Sequence, residues 1–146
     1  MFKEDLEEWK KAEREFAALL ISTWWASEVK IPEWRFPDYD IWAKKRGGRE
    51  KTFEIKTNKI YNTTGDVAFE VHNGWKPSAI LTSKADYIVY QLGWEFYYQE
   101  TWLLRWLLHT LPHEEKMWGD GGKSTLYIIK WEYMSDLFKK LWKWEN

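Results

Sequence analysis

The stretch PDYDIWAKKRGGREKTFEIKTN, residues 37–58, carries the clearest local pattern in the 146-residue chain. Apolar and charged residues alternate on both sides of the turn sequence Arg-Gly-Gly-Arg at 46–49. Alternation with a period of two predicts β-strands, and a short glycine-containing turn between two such runs predicts a hairpin. We therefore expect strands over residues 39–45 and 51–57, joined at the glycine pair.

The charged residues of this hairpin predict a cluster at the end away from the turn. Successive side chains of a strand point to opposite faces, so Glu54 and Lys56 share one face. Phe53 and Ile55 share the other. In an antiparallel hairpin the start of the first strand lies beside the end of the second, so Asp40 is expected near Glu54 and Lys56. A solvated edge strand would give the same alternation, and the pattern alone leaves both interpretations open.

Residues 3–26 have the apolar spacing of an amphipathic helix, with one carboxylate on the apolar stripe. At about 100° per residue, Glu13 falls between Trp9 and Phe16. A carboxylate in such a position has to be paired, protonated or bound to a cation. The alternative is a glutamate at the edge of the stripe that extends to the solvent. If the helix packs across the predicted sheet, Glu13 approaches the hairpin cluster.

The predicted cluster suits metal-assisted hydrolysis of a phosphodiester. Mg²⁺ (or Mn²⁺) prefers carboxylate, carbonyl and water oxygens. Asp40 and Glu54 would hold the ion, with the backbone carbonyl of Ile55 as a further ligand. The ion would polarise the scissile phosphate and lower the pKa of a bound water. Lys56 would orient that water or stabilise the negative charge that develops on the phosphate.

Several of these motifs together resemble the PD-(D/E)XK nuclease superfamily. They are the Pro-Asp at 37–38, the Glu-Ile-Lys at 54–56, and the upstream helix with its inward glutamate. The resemblance implies a restriction-endonuclease-like α/β (α+β) fold whose core runs α-β-β-β-α-β, with a mixed sheet flanked by helices. It covers roughly residues 5–110 and implies a single nuclease-like domain over 1–146. The stretch 64–90 also resembles small phage or mobile-element members of this superfamily.

Within this resemblance, each candidate residue takes a role. Asp40 corresponds to the metal ligand of the first strand, Glu54 to the second ligand and Lys56 to the catalytic lysine. Glu13 corresponds to the helix carboxylate that helps to hold the metal, often through a water. Asp38 is the alternative first ligand, because it directly follows the proline of the motif. We favour Asp40, which leads straight into the apolar strand, and expect Asp38 to assist from the same face.

Basic residues are concentrated in and around the hairpin of a chain whose net charge is −1. From Lys44 to Lys59 there are seven bases and two acids. Such a patch on a nearly neutral protein can recognise a polyanion, although a solvated hairpin explains the charge equally well. The residues predicted to contact DNA are Lys44, Lys45, Arg46, Arg49, Lys59, Lys76 and Lys84.

The remaining composition bounds the class of protein. A chain with 45% hydrophobic and 31% charged residues is expected to fold as one globular domain. It has no cysteine, which excludes disulfides and thiolate chemistry and suits a cytoplasmic or otherwise intracellular protein of cellular, viral or phage origin. No apolar run approaches the length of a membrane span. The thirteen tryptophans are expected mainly in the core or in an interface.

Further elements follow from periodicity and turn residues. The predicted elements are a third strand over 67–71, strands over 87–92, 96–98 and 125–131, and helices over 99–110 and 135–144. Together with the first helix and the hairpin, they predict helices packed around one sheet.

These inferences favour a divalent-metal-dependent DNA endonuclease. The small size leaves little room for a separate target-recognition domain. We therefore expect a structure-specific enzyme similar to Holliday junction resolvases, acting on branched DNA as a homodimer and without a membrane. The first alternative is another nuclease of the same superfamily, either an exonuclease or a restriction-like enzyme. The second is a non-catalytic, Trp-rich module that binds DNA or protein, in which Glu-Ile-Lys belongs to a solvated edge strand.

Overall fold

The computed structural model describes residues 3–33, 38–57, 61, 64–77 and 79–141. In these residues the elements are, in chain order, α1 (Lys3–Ser22), β1 (Ala26–Lys30), β2 (Ile41–Lys45), β3 (Glu50–Thr57), β4 (Asp66–Asn73), β5 (Lys76–Pro77), β6 (Tyr87–Leu92), β7 (Glu95–Glu100), α2 (Thr101–Thr110), β8 (Glu114–Trp118), β9 (Ser124–Lys130), α3 (Trp131–Met134) and β10 (Lys139–Leu141). Short 3₁₀ helices lie at Ala79–Leu81 and Asp120–Gly122. None of the helices in this part of the chain is long and apolar enough to cross a membrane.

The described strands form two sheets. The first has the order β1-β2-β3-β6-β7-β10 and is mixed, because β3 and β6 are parallel whereas its other neighbouring strands are antiparallel. The second has the order β5-β4-β9-β8 and is antiparallel throughout. This confirms the predicted α+β class with a mixed sheet flanked by helices.

The hairpin of β2 and β3 forms as its alternation predicts. Ile41 pairs with Phe53 in an antiparallel register, and the amide of Gly48 donates to the carbonyl of Lys45 across the turn at 3.0 Å. Gly47 has a φ of +88° and Gly48 a φ of +144°, a region that residues with a Cβ rarely adopt. The glycine pair therefore fixes where the chain reverses, and with it the register of every charged side chain on the two strands.

The mixed sheet is covered on both faces. On one face, Phe53 of β3 packs against Phe16 of α1, with ring centroids 5.2 Å apart. On the other face, Tyr90 of β6 packs against Phe69 of the second sheet, with ring centroids 5.0 Å apart, and α2 covers the same side. Because the side chains of β3 alternate between the two faces, Glu54 lies on the side of the second sheet.

The first helix is shorter than the predicted range of 3–26. α1 ends at Ser22, and Ala26–Lys30 forms β1 along the edge of β2. Ala26 is completely buried in the cluster that contains Phe53. Pairing with β2 and burial in this cluster outweigh the helical spacing of the segment, because intrinsic helix propensity is weak compared with tertiary packing.

The strand predicted over 67–71 forms, but it lies in the second sheet. β3 pairs with β2 on one edge and with β6 on the other, so no edge of β3 remains for β4. β4 pairs instead with β5 and β9, and Val67, Phe69 and Val71 are buried against the mixed sheet. The prediction of a single sheet, and of β4 as the third strand of its core, is therefore wrong.

The helix predicted over 135–144 is wrong as far as residue 141, and the residues beyond lie outside the described part. α3 ends at Met134, and Lys139–Leu141 forms β10, which pairs with the edge of β7. Phe138 is buried beside Tyr90, with ring centroids 6.2 Å apart. The backbone of β10 satisfies the hydrogen-bonding groups of the β7 edge, and this pairing outweighs the helical pattern.

The other predicted elements are confirmed. The strand over 87–92 is β6, the short strand over 96–98 is part of β7, and the strand over 125–131 is β9. The helix over 99–110 is α2, which begins two residues later than expected. β6 is almost continuously apolar because it is covered on both faces of the sheet.

Candidate active site

Asp40 lies at the entry to β2, where two hydrogen bonds tie it to β3. Its amide donates to the carbonyl of Phe53 at 2.8 Å, and its Oδ2 accepts from the amide of Ile55 at 2.7 Å. A bond from an amide to a carboxylate is charge-assisted and directional. Extending the register of Ile41 and Phe53 by one step places Asp40 opposite Glu54. The two carboxylates therefore belong to adjacent strands at the same end of the hairpin.

Glu54 has a buried carboxylate oxygen without a hydrogen bond. Its Oε2 is inaccessible to solvent and has no hydrogen-bond partner among the described residues. Nζ of Lys56 is 4.0 Å from this oxygen, too far for a hydrogen bond but close enough for electrostatic attraction. Burying a charged oxygen without a hydrogen bond is costly, so this position favours a cation.

Glu13 brings a further carboxyl group towards Asp40 from α1. Burial raises the pKa of Glu13 to about 7, and the negative charge of Asp40 acts in the same direction. Lys10 and Arg14 lower this pKa and offset only part of the increase. A cation beside Asp40 would favour the ionised form of Glu13 and so lower its pKa again.

Asp38 and Asp40 have different surroundings, although the sequence offers both as the first metal ligand. Oδ1 of Asp38 is 3.9 Å from Nζ of Lys84, and both side chains are well exposed. Asp38 thus takes part in a surface ion pair, whereas Asp40 is hydrogen-bonded to β3 in the register of Glu54. This geometry favours Asp40 as the ligand and leaves Asp38 at the rim of the cluster.

The donor atoms of the cluster fit a hard divalent cation. Mg²⁺ usually takes one or two protein carboxylates and completes its shell with waters and substrate phosphate oxygens. Asp40 and Glu54 supply two carboxylates, and Ile55 adds a main-chain carbonyl. Among the described residues, no group of three His, Asp or Glu side chains is arranged to hold a metal ion. Oε2 of Glu54, which has no hydrogen bond among the described residues, is the atom here that a cation would satisfy.

Asp86 is another acid on this face of the hairpin, and its contacts are structural. Its Oδ2 accepts from the amide of Thr52 at 2.9 Å and from the hydroxyl of Thr52 at 3.2 Å. The amide of Asp86 donates back to Oγ1 of Thr52 at 3.1 Å. These bonds fix the start of β6 against β3, where Glu54 pairs with Ile88. The carboxylate of Asp86 is therefore engaged in holding the two strands together.

The predicted DNA contacts lie in separate places. Those around the hairpin turn, here called the basic turn, are exposed: Lys44, Lys45, Arg46 and Arg49. Lys76 is exposed at the start of β5, with Nζ 5.8 Å from the ring centroid of Trp75. Lys84 lies beside Asp38 at the rim of the cluster. Lys59 falls outside the described residues.

Lys30 and Trp42, which were not among the predicted site residues, lie on the face of the sheet between the cluster and the basic turn. Lys30 pairs with Trp42, and its Nζ is 5.0 Å from the ring centroid. Trp42 pairs with Thr52, which precedes Glu54 by two residues, so these side chains share one face. The alternation of β2 could have placed Trp42 on this face, but nothing in the sequence placed Lys30 there, because β1 was not predicted.

Comparisons with known proteins give one structural similarity. No protein-family model and no curated protein matches the chain. The solved structure of a bacterial homing endonuclease, I-Ssp6803I, is similar with a TM-score of 0.53 and 13% sequence identity. The alignment covers 84% of this chain and 76% of that one. At this low identity the similarity shows that the two chains share a fold.

Proposed function

We propose that this protein is a divalent-metal-dependent DNA endonuclease. The observation that carries the proposal is the buried Oε2 of Glu54, which has no hydrogen bond among the described residues. It belongs to the residue opposite Asp40 in the hairpin register, and the carboxylate of Asp40 is itself fixed by the amide of Ile55. The shared fold supports the same class of activity, since the structural neighbour is a homing endonuclease. Glu54, Lys56 and Asp40 also retain the spacing that resembles the PD-(D/E)XK nuclease superfamily.

The residues of the cluster divide the chemistry between them. Asp40, Glu54 and the carbonyl of Ile55 would hold Mg²⁺ or Mn²⁺, which supplies Lewis-acid activation of a phosphate and of water when bound. Lys56, whose side chain is about one-third exposed, can reach a phosphate and stabilise the charge that develops on it. Glu13 would become ionised beside the cation and help to fix it.

The basic turn would hold the DNA that reaches this cluster. Asp40 and Lys45 are the two ends of one extended segment, about 17 Å apart at 3.3–3.4 Å per residue. That length matches about five nucleotides of a DNA strand. Lys44 lies on this segment, and Lys30 of β1 pairs beside it with Trp42, so a strand cut at the cluster would remain among positive charges over its bound length.

The finer proposal is a structure-specific enzyme similar to Holliday junction resolvases, consisting of a single domain over residues 1–146 that acts as a homodimer on branched DNA. It rests on the sequence resemblance. An exonuclease or a restriction-like enzyme remains the nearest alternative. A non-catalytic module that binds DNA or protein is a second candidate, which the strong exposure of several tryptophans favours; Trp75 and Trp94 are 86% and 89% exposed.

The test is hydrolysis of a panel of labelled DNA molecules with Mg²⁺: a four-way junction, a flap, a single strand and a duplex. We expect the wild-type protein to cut, with the junction as the best substrate. Lys56→Ala should abolish cutting and leave DNA binding largely intact. Lys51→Ala is the matched control, because Lys51 lies on the same strand but on the opposite face, and it should cut at the wild-type rate at saturating DNA.

Two results would count against the proposal. Cutting by Lys56→Ala at the wild-type rate would show that the chemistry lies elsewhere. Failure of the wild-type protein to cut any substrate with Mg²⁺ or Mn²⁺, despite binding DNA, would favour the non-catalytic module.

A further inference from the structure

The backbone of Trp24, at the end of α1, has a conformation that a bulky residue rarely adopts. Its φ is +66°, and it is the one non-glycine residue with a positive φ in the described part of the chain. The amide of Trp24 donates to the carbonyl of Ile21 at 3.1 Å, which closes the last turn of the helix. Glycine, and sometimes asparagine, is favoured at such a helix end, because a Cβ makes the left-handed conformation costly.

Packing of the Trp24 ring into the core does not account for this strain. Trp24 is 66% exposed. The adjacent Trp25 is the ring that packs inward, 5.2 Å from Phe53 and 6.1 Å from Tyr87 between ring centroids. Strained backbone at an exposed aromatic residue is characteristic of functional positions, where the strain holds a side chain in a required place.

The ring of Trp24 lies against the basic turn. Cζ of Arg46 is 4.3 Å from the ring centroid of Trp24, within the range of a cation–π contact. The amide of Arg46 donates to the carbonyl of Trp25 at 3.0 Å, so the backbones of the two segments are also joined. Nζ of Lys45, which also belongs to the basic turn, is 5.6 Å from the ring centroid of Trp25. The ring and the guanidinium group are thus held together among cations.

An exposed indole ring beside a guanidinium plane and lysines has the chemistry of a site for a nucleobase. Aromatic faces stack on bases regardless of sequence, and arginine adds a cation–π contribution while nearby lysines bind the backbone phosphates. A base within a duplex is already stacked on both sides. The surface therefore suits a base that has lost a stacking neighbour, as at a branch point, a bulge or a single-stranded end.

We propose that Trp24, held by Arg46, stacks on an unpaired base of the DNA bound along this hairpin. The inference rests on the proposed function, because it assigns a substrate class to the same DNA-binding surface. Arg46 lies six positions after Asp40, one residue beyond the end of β2, so the two are separated by up to about 20 Å, which corresponds to about six nucleotides. The unpaired base would therefore lie some six nucleotides from the bond that is cut.

The test measures binding in metal-free buffer, where cutting does not interfere, to a duplex and to the same duplex with one extruded base. Trp24→Gly should lower the affinity for the extruded-base DNA about 5- to 100-fold and the affinity for the duplex much less. The same substitution should raise the melting temperature or leave it unchanged, because glycine adopts a positive φ without strain. Reduced binding of a protein that is at least as stable excludes misfolding as the cause.

The matched control is Trp94→Gly, which removes an 89% exposed tryptophan from the turn between β6 and β7, next to Glu95. It should not change the preference for the extruded base. Arg46→Ala should reduce that preference, and Arg46→Lys should restore part of it.

The outcomes separate this inference from the proposed function. Equal preference for the extruded base in Trp24→Gly and wild type would overturn the inference, whether or not the protein cuts DNA. If Trp24→Gly loses that preference while the wild-type protein cuts no DNA with Mg²⁺, the inference is supported and the proposed endonuclease activity is wrong. If the wild-type protein shows no preference for the extruded base, the inference is likewise wrong.

Discussion

The hairpin of β2 and β3 has two ends with opposite charge and opposite exposure. At one end, Asp40 and Glu54 are partly buried, and one oxygen of Glu54 has no hydrogen bond among the described residues. At the other end, the cations of the basic turn are exposed. The two ends are separated by the length of one strand, so both can lie along one bound strand of DNA.

The difference between the two ends lies in what each requires from a ligand. A buried carboxylate oxygen without a hydrogen bond has lost its hydrating water and gained no donor in exchange. A bound cation would offset much of this desolvation cost. Exposed cations are hydrated and screened by salt, so each contributes a small, salt-dependent attraction to a polyanion. We therefore expect substitutions at the acidic end to affect chemistry and substitutions at the basic end to affect affinity.

The largest effect is expected from removing a carboxylate at the acidic end. Glu54→Gln or Asp40→Asn should reduce cutting about 10³-fold and weaken Mn²⁺ binding, because each removes a charged ligand. Calorimetric titration with Mn²⁺ and single-turnover cleavage provide the measurements. Glu50→Gln is the control, since Glu50 lies on the same face of β3 at the basic end and is exposed. Mn²⁺ binding by Glu54→Gln as tight as that of wild type would refute the metal assignment.

A smaller effect, on affinity alone, is expected from the basic turn. The triple substitution Lys44→Ala, Lys45→Ala and Arg49→Ala should weaken DNA binding about 10- to 100-fold at moderate salt. It should also reduce the slope of log affinity against log salt concentration by about 2 to 3. Cutting at saturating DNA should persist. Lys11→Ala is the control, because Lys11 is paired with Glu15 at 3.7 Å on α1. An unchanged salt slope in the triple variant would remove the hairpin turn from the interface.

Asp86 provides a second comparison. It is an acid on the same face as Glu54, but its Oδ2 already accepts hydrogen bonds from Thr52. Asp86→Ala should lower the free energy of unfolding by about 1–2 kcal/mol, because it removes the two hydrogen bonds that its carboxylate accepts from Thr52. Mn²⁺ affinity of the folded variant should remain close to that of wild type. Urea denaturation measures the loss, with the exposed Asp136→Ala as a control expected to change little. A stability equal to that of wild type would contradict the structural role of Asp86.

The smallest effect concerns Glu13. Burial and the negative charge of Asp40 raise its pKa to about 7. The folded protein keeps this proton up to about pH 7, whereas the unfolded chain releases it near 4.5, so stability falls as pH rises between these values. In metal-free buffer, Glu13→Gln should therefore be about as stable as wild type at pH 4 and about 1 kcal/mol more stable at pH 8, after allowance for partial solvation. Denaturation across this pH range is the measurement, and parallel curves for the two proteins would show that Glu13 is not buried beside Asp40.

Local pattern was sufficient to predict the hairpin and the relative positions of its charged residues. The alternation with a period of two and the glycine pair fix the register of two strands that follow each other directly in the chain. The position of Asp40 opposite Glu54 follows from that register. β6 and α2 were likewise predictable, because a continuous apolar run and a strong helical period are properties of short segments.

The tertiary structure alone decided which edges pair and which groups are brought together from distant segments. β1 and β10 are strands because the edges of β2 and β7 were open to them, and β4 lies in a second sheet because both edges of β3 were taken. The sequence by itself determined that Glu54 and Lys56 would share a face. The packing of α1, β1 and the second sheet determined that Glu13 would approach Asp40 and that Trp24 would lie against Arg46, because burial and long-range contacts depend on the whole fold rather than on neighbours in the chain.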